Sequence, residues 1–521
     1  MELIKKNIHM DRVKRSTVIQ FTMEEDLNLP EDKPDISTLN LEKGEVVIEE
    51  IRPGTDEVTV RGKLGYAILY HTQETGSNLV LLSGALPFEE KIHMEGTLPS
   101  DTVAVNGTVE DFTVNMINSR KLNVKALVTL KLQAETLFDA EAAEDARFDG
   151  DVETLKKTIA VAALSARRKD TFRVREVLSL SGNKPDIDTL LWQDIRLRGV
   201  NTRPLDGRIR LDGELMVFAI YSGEAGQVPV QCLEETVPFS GEVELEPSVE
   251  EMIPFITVRL VHKELEVNPD SDGEMRELSV DAVMELDMRL YEEKELEILN
   301  DLYALDRELD LDTGEACFDQ IAARNQLKTR LQEKVDLPVG QRILQICHSD
   351  GDVKLDEVQI RDGELSMDGV LEVQLLYLTA DDSSPVGAST EVLPFHMTAQ
   401  VPGITEDSVY QMEPGLEQIS AVMLGGDSVE IKASVTMDVL VLNQVCGQVI
   451  LNVREEPLDT ERLKQIPGIV GYVVQPGDSL WKIARKFHTS VDAVMADNGL
   501  TDPSIQPGDK LIIVKAVGER A

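Results

Sequence analysis

Aromatic residues make up 4% of this 521-residue chain, against 42% hydrophobic residues overall, so any core must be built mainly from aliphatic side chains. Histidine is scarce too. The seven copies, at 9, 71, 93, 262, 348, 396 and 488, are scattered singly with no HxxxH spacing, and no zinc site is suggested. Cysteine is scarcer still. Cys232, Cys317, Cys347 and Cys446 share no CxxC spacing, and four are too few for a disulfide framework in so long a chain, so they read as reduced thiols. No apolar run approaches the ~18 residues of a membrane-spanning helix. The opening MELIKKNIHMDRVKR puts charges where a secretory signal needs an apolar centre, so the chain is expected to stay in the cytosol of the cell that makes it. Basic residues are outnumbered, 52 Lys and Arg against 95 Asp and Glu, for a formal net charge of −43. Such a surface repels nucleic acid and anionic lipid. The one basic patch, Lys5, Lys6, Arg12, Lys14 and Arg15, reads as an ordinary polar lead-in.

Catalytic signatures are missing as well. No Walker A or GxGxxG phosphate loop occurs. Asp270-Ser271-Asp272-Gly273-Glu274 has the flavour of a calcium loop but lacks the EF-hand spacing and terminal Glu, and reads as a turn. Gly477-Asp478-Ser479-Leu480 spells the GDSL string of a hydrolase family. Only His488 follows it, one helix away, which leaves Ser479 without the base and carboxylate that a nucleophilic serine needs. The expectation is a protein that is not an enzyme, with no cofactor and no metal.

What the chain does have is repetition. Its length suggests three to four domains. LNLPEDKPDISTL (27–39) returns as LSLSGNKPDIDTL (178–190), 151 residues later. GKLGYAILY (62–70), GELMVFAIY (213–221) and GVLEVQLLY (369–377) form a second set. Leu86-Pro87-Phe88, Val237-Pro238-Phe239 and Leu393-Pro394-Phe395 form a third, with the proline 25 residues after Gly62, Gly213 or Gly369 each time. NVKALVTLKL (123–132), SVDAVMELDM (279–288) and EIKASVTMDV (430–439) close each copy. The third copy has lost KPDI and carries Gln341-Arg342-Ile343-Leu344 there. These segments alternate apolar and polar residues between Pro-Gly and Asp-Gly turns, the period of half-buried strands. Copies of about 150 residues exceed a solenoid unit and suggest separate antiparallel sandwich or barrel domains strung like beads. The expected boundaries are 1–150, 151–300 and 301–452. Residues 134–168 and 293–334 show no assignable period. Residues 453–470 read as a tether, with Pro457 and Pro467, that lets the last domain move.

Residues 471–515 differ from the rest. Five Lys and Arg balance five Asp and Glu, so this segment is neutral and the whole charge excess lies before it. A strand at Tyr472-Val473-Val474 precedes a turn and a helix capped by Asp478 or Ser479, with Leu480, Ile483, Ala484 and Phe487 at helical spacing. Ser490 caps a second helix that ends at Asn498-Gly499, and Leu511-Ile512-Ile513-Val514 closes as a strand.

The YVV-x-x-GDSLWKIA opening, the NGL after the second helix and the I-x-PGDKLII ending resemble a LysM domain over its full length. The resemblance implies binding of N-acetylglucosamine-containing glycan in a shallow groove, here Gly477, Asp478, Ser479, Leu480, Asn498, Gly499, Leu500, Asp502, Pro503 and Ile505. Asp478 and Ser479 would cap a helix without any ligand, Leu480 and Trp481 would serve as packing, and a LysM fold can also dock a protein. The KPDI turn and the G-x7-Y strand resemble SPOCS repeats. Joined to a LysM domain they are similar to the clostridial spore-coat assembly proteins that partner the stage IV A morphogenetic ATPase. The resemblance implies a mainly β chain of three sandwich- or barrel-like SPOCS modules and a small βααβ LysM domain. It also implies a non-enzymatic scaffold of the mother-cell cytosol, working at the forespore surface with that ATPase or with peptidoglycan as its partner. The alternatives are a peptidoglycan-binding wall protein and a LysM-targeted wall hydrolase.

Overall fold

The computed structural model describes residues 2–72, 79–148, 150–223, 230–337, 343–380, 385–425, 428–458 and 467–514. The alternating segments are strands, and every pairing is antiparallel. The first module comprises β1 (Glu2–Asn28), β2 (Thr38–Pro53), β3 (Glu57–His71), β4 (Leu79–His93), β5 (Thr102–Asn118) and β6 (Lys121–Arg147). The second repeats it as β7 (Val152–Ser179), β8 (Ile187–Leu205), β9 (Arg208–Gly223), β10 (Gln231–Glu244), β11 (Ile253–Pro269) and β12 (Met275–Ala304). The third is β13 (Glu308–Asp336), β14 (Ile343–Arg361), β15 (Glu364–Thr379), β16 (Val386–Gln400), β17 (Val409–Gly425) and β18 (Ser428–Glu456). Each module makes two three-stranded sheets, β2-β3-β4 and β1-β6-β5 in the first, which face each other across an aliphatic core.

The glycine-to-proline spacing is a hairpin register. Gly62, Gly213 and Gly369 lie directly opposite Phe88, Phe239 and Phe395. A Cβ on any of the three glycines would stand 2.7 Å from the facing ring, so the ring lies over a bare backbone and the pair recurs as a unit. The KPDI turn is a latch between the two sheets. Tyr70 and Tyr221 donate from their hydroxyls to the carbonyls of Pro34 (3.0 Å) and Pro185 (3.3 Å). Arg120 pairs with Asp35 at 2.8 Å and also binds the Lys33 carbonyl; Arg276 repeats both contacts with Asp186 and Lys184. In the third module Gln341 and Arg342 lie outside the described residues, and Tyr377 donates to Ala388 instead.

The modules are not separate beads. Ala67 and Leu69 use the second face of β3 to join a core drawn from all three modules, which includes Leu41, Trp192, Ile220, Leu376 and Val386. Polar contacts close the ring. Lys43 reaches Asp194 (2.6 Å), Arg196 reaches Asp350 (2.8 Å), and Asn40 donates to the Val386 carbonyl (3.3 Å). A second shared core forms where the outer ends of the long strands converge, from Ile8, Ala142, Val161, Leu296, Phe318 and Val449 among others. Residues 134–168 and 293–334, without assignable period, run through these long strands. Val161, Ala162, Ala163 and Leu164 are buried consecutively because neighbours cover both faces of β7, which erases the alternation.

The cysteines also depart from expectation. Cys232 and Cys347 join the second module to the third, Cα atoms 5.9 Å apart, and Cys317 joins Cys446 across the β13–β18 ladder at 4.0 Å. Each pair is more than a hundred residues apart in sequence, so local spacing carried no sign of it.

Candidate functional site

The C-terminal domain is β19 (Ile469–Val473), α1 (Leu480–Phe487), α2 (Val491–Asn498) and β20 (Lys510–Val514). Ser479 caps α1 by accepting from the Lys482 N–H (3.2 Å), and Ser490 caps α2 from the Ala493 N–H (3.1 Å). Gly499 ends α2 at φ 64°, the left-handed conformation that a glycine adopts freely. Leu480, Ile483, Ala484 and Phe487 are buried against Val494, Leu511 and Ile513.

The expected groove residues lie on two loops and at the helix ends beside them, Leu480 opening α1 and Asn498 closing α2. Asp478 accepts from the Tyr472 hydroxyl and the Gln475 N–H, both at 2.8 Å, and those bonds, the backbone one first, hold its carboxyl below the usual range. Gly477 sits at φ 87°, and its carbonyl accepts from Lys482 Nζ (2.9 Å). Asn498 fastens β20 by accepting from the Ile512 N–H (2.7 Å) and donating to the Ile512 carbonyl (2.6 Å). Asp502 accepts from the Ser504 N–H (2.9 Å) and is held low by Ser504. Pro503 is exposed, whereas Leu500 and Ile505 are half-buried against the core. Leu480 is 1% exposed, so its side chain belongs to the core and only its backbone can meet a ligand. The polar side chains thus shape the loops. Exposed backbone and the loop rims are left for binding.

The domain is fastened to the body rather than hanging free. Asp301, near the end of β12, accepts from Trp481 Nε1 (2.8 Å) and from Arg485 Nη1 (2.8 and 2.9 Å). Tyr303 donates to the Thr489 carbonyl (2.8 Å) and meets the Trp481 ring edge-on at 4.8 Å; burial pushes its phenol above the ordinary range. Burial and the nearby Asp492 carboxylate raise Glu153, which also binds the Val491 N–H. This corrects the expected freedom of the domain, although residues 459–466 of the tether lie outside the described residues. The mount uses Trp481, Arg485, Thr489 and Val491, none of them in the expected groove. Asp301 and Tyr303 were not singled out from sequence, because they lie in a segment without readable period.

A second polar constellation lies in the ring. Asp194 is pushed up by burial, but Lys43, Arg196 and Lys263 outweigh this and hold it well below the usual carboxylate range. Beside it, His348 Nδ1 binds Glu234 at 2.6 Å and the imidazole stacks on Phe218 at 4.2 Å. The register makes Lys43, Asp194 and Asp350 equivalent, opposite Ala67, Phe218 and Gln374, and makes Leu41, Trp192 and His348 equivalent, opposite Leu69, Ile220 and Leu376. Aligning the copies by their repeat offsets would have flagged these columns, since the residue type changes within each.

Residues 472–514 match the LysM domain, and residues 35–117, 186–268 and 342–424 match the SipL, SPOCS domain. Each SPOCS match spans the four shorter strands of one module; the long first and last strands fall outside it. No curated protein and no solved structure matches the chain. No helix among the described residues is long and apolar enough to cross a membrane.

Proposed function

From the premise that this chain is a protein of three SipL-type SPOCS domains and one LysM domain, we propose that it is a non-enzymatic scaffold of spore-envelope assembly. In this reading the LysM loops, 477–480 and 498–505, engage N-acetylglucosamine-containing peptidoglycan, and the acidic body meets protein partners at the forespore surface in the mother cell. The observation that carries it is the mount. Trp481, Arg485 and Thr489 hold the LysM domain by a face that leaves the groove loops out of the contact, so a rigid body presents one recognition module. The net charge of −43 selects basic partner surfaces, while the neutral LysM segment avoids repulsion from anionic wall polymers.

The second reading is that the same loops dock a coat morphogenetic ATPase of the stage IV A type. It is favoured by how few side-chain polar groups the loops leave uncommitted, since Asp478 and Asn498 are spent on the domain's own backbone and strands. Sedimentation of the full chain with purified peptidoglycan, beside binding to purified ATPase, separates the two. Asp478→Lys should abolish whichever interaction is real while leaving the thermal transition of the body unchanged. Retention of both interactions in that variant would refute the groove assignment, and a clearing band on a cell-wall zymogram would refute the scaffold reading.

A further inference from the structure

We propose that Asp194, His348 and Asp350 form a binding site for one divalent transition-metal ion of the Zn²⁺ class at the junction of the second and third SPOCS domains. Each residue offers one ligand atom, these atoms all lie within 4.8 Å of one another, and all three residues are buried. Two carboxylates and one imidazole are a common donor set for such ions.

The argument starts from two orphaned atoms. Among the described residues His348, 4% exposed, has no partner for its Nε2, and Asp194, 6% exposed, accepts no hydrogen bond at Oδ1, with Lys263 Nζ no nearer than 3.7 Å. Leaving two such atoms buried and unmatched is costly. The imidazole cannot turn to relieve this. Its Nδ1 is tied to Glu234 at 2.6 Å, which requires the proton on that nitrogen, and its ring lies flat on Phe218 at an interplanar angle of 7°. The Nε2 lone pair therefore points away from Glu234 as an acceptor, the form in which histidine binds a metal while a carboxylate holds its other nitrogen.

The remaining carboxylate oxygens are held from outside. Asp194 Oδ2 is bound by Lys43 (2.6 Å) and Arg196 (3.1 Å), and Asp350 Oδ2 by Arg196 (2.8 Å). These are the contacts that orient a ligand without occupying its donor atom. Among the described residues Asp350 Oδ1 has one long contact, to Arg198 (3.4 Å), which an ion would displace. The cations do not forbid the ion. Asp194, Asp350, Asp352, Glu45 and Glu234 stand against Lys43, Lys263, Arg196 and Arg198, a surplus of one negative charge around a neutral imidazole.

The repeat supplies a further argument. The positions equivalent to His348 are Leu41 and Trp192, so the fold accepts an apolar side chain there and does not itself require histidine. The scaffold around the site is preorganised, because the Cys232–Cys347 disulfide flanks both Glu234 and His348. A bound ion would staple the two domains at this point of the ring.

The test uses the full oxidised chain, stripped with chelator and titrated with Zn²⁺ and with Co²⁺. Wild type should take up one tight equivalent, give the visible Co²⁺ bands of a low-coordinate site and gain thermal stability from Zn²⁺. His348→Leu, which installs the residue of the first module, should lose all three responses. Glu234→Gln should weaken the affinity roughly ten- to hundredfold. Absence of a tight equivalent in wild type overturns the proposal. Equal uptake by wild type and His348→Leu overturns it as well. Should His348→Leu fail to fold, an unweakened affinity in Glu234→Gln does the same.

Discussion

Asp301→Ala should release the LysM domain from the body without unfolding either. One carboxylate takes the indole N–H of Trp481 and both short contacts of Arg485 Nη1, so a single substitution removes most of the polar mount. A hydrogen bond to an ionised acceptor contributes about 1.5–3 kcal/mol when its donor is half-buried, as Trp481 is. The Arg485 side chain is 45% exposed, so its pair adds only ~0.5 kcal/mol after screening. The sum, about 2–3.5 kcal/mol, shifts the docked-to-released ratio by roughly one and a half to two and a half powers of ten. Two readouts apply. The chain has two tryptophans, and Trp192 is buried in the ring, so a red shift and greater quenching of emission would report Trp481 alone. Amide exchange should quicken along the end of β12 while β19 and β20 keep their protection. Asp301→Ala combined with Tyr303→Ala should complete the release. If emission and exchange match wild type in both variants, the mount does not hold the domain and the reasoning fails.

Three further outcomes are expected. Burial, with Glu135 nearby, raises the Asp11 carboxyl to about 6, despite Arg289 and Arg167 beside it and with Asp287 adding a little. Because the folded value exceeds the unfolded ~3.9, ionising Asp11 costs stability: nothing below about pH 4, increasingly up to 6, and up to about 2–3 kcal/mol above that. Asp11→Asn should therefore have a higher urea midpoint than wild type at pH 8 and an equal one near pH 4; a gap of the same size at both would refute this. Gly213→Ala should destabilise by about 1–3 kcal/mol through the Phe239 ring, and Phe239→Ala should cancel much of that. Gly62→Ala should resist rescue by Phe88→Ala, because its Cβ would also stand 2.5 Å from the Val47 carbonyl; chemical denaturation of the two double-mutant cycles decides. Thiol titration of the unfolded chain should find none of the four cysteines before reduction and all four after it, with a loss of about 2–4 kcal/mol per bridge. Four reactive thiols without reductant would contradict the pairing.

Much of the local structure could be read from the residues alone. Ser479 and Ser490 cap the helices they were expected to cap, Gly499 ends the second, and β3 alternates buried and half-buried residues from Val58 to Gly65. What escaped was everything that depends on a neighbour some 150 residues away. Leu69 is fully buried on the face that the alternation assigns to solvent, because two other modules cover it. The run 161–164 showed no period for the same reason. The partnership of Asp194 with Lys43 and with the His348–Asp350 pair spans three copies, so no single window of sequence carries it and only a comparison of the copies points to it. Leu480, expected in the groove, is the first residue of α1 and turns its side chain into the core, which its place in the GDSL string did not reveal.

The contact between Asn40 and Val386 has an evolutionary corollary. A stack of repeats can gain or lose units at its ends, because each unit touches only the next. Here the first unit touches the last, so inserting a fourth copy would force the circle open and expose an aliphatic hub to water. The number three is thus locked by geometry, and innovation in such proteins is pushed towards divergence among existing copies and towards whatever is appended beyond them.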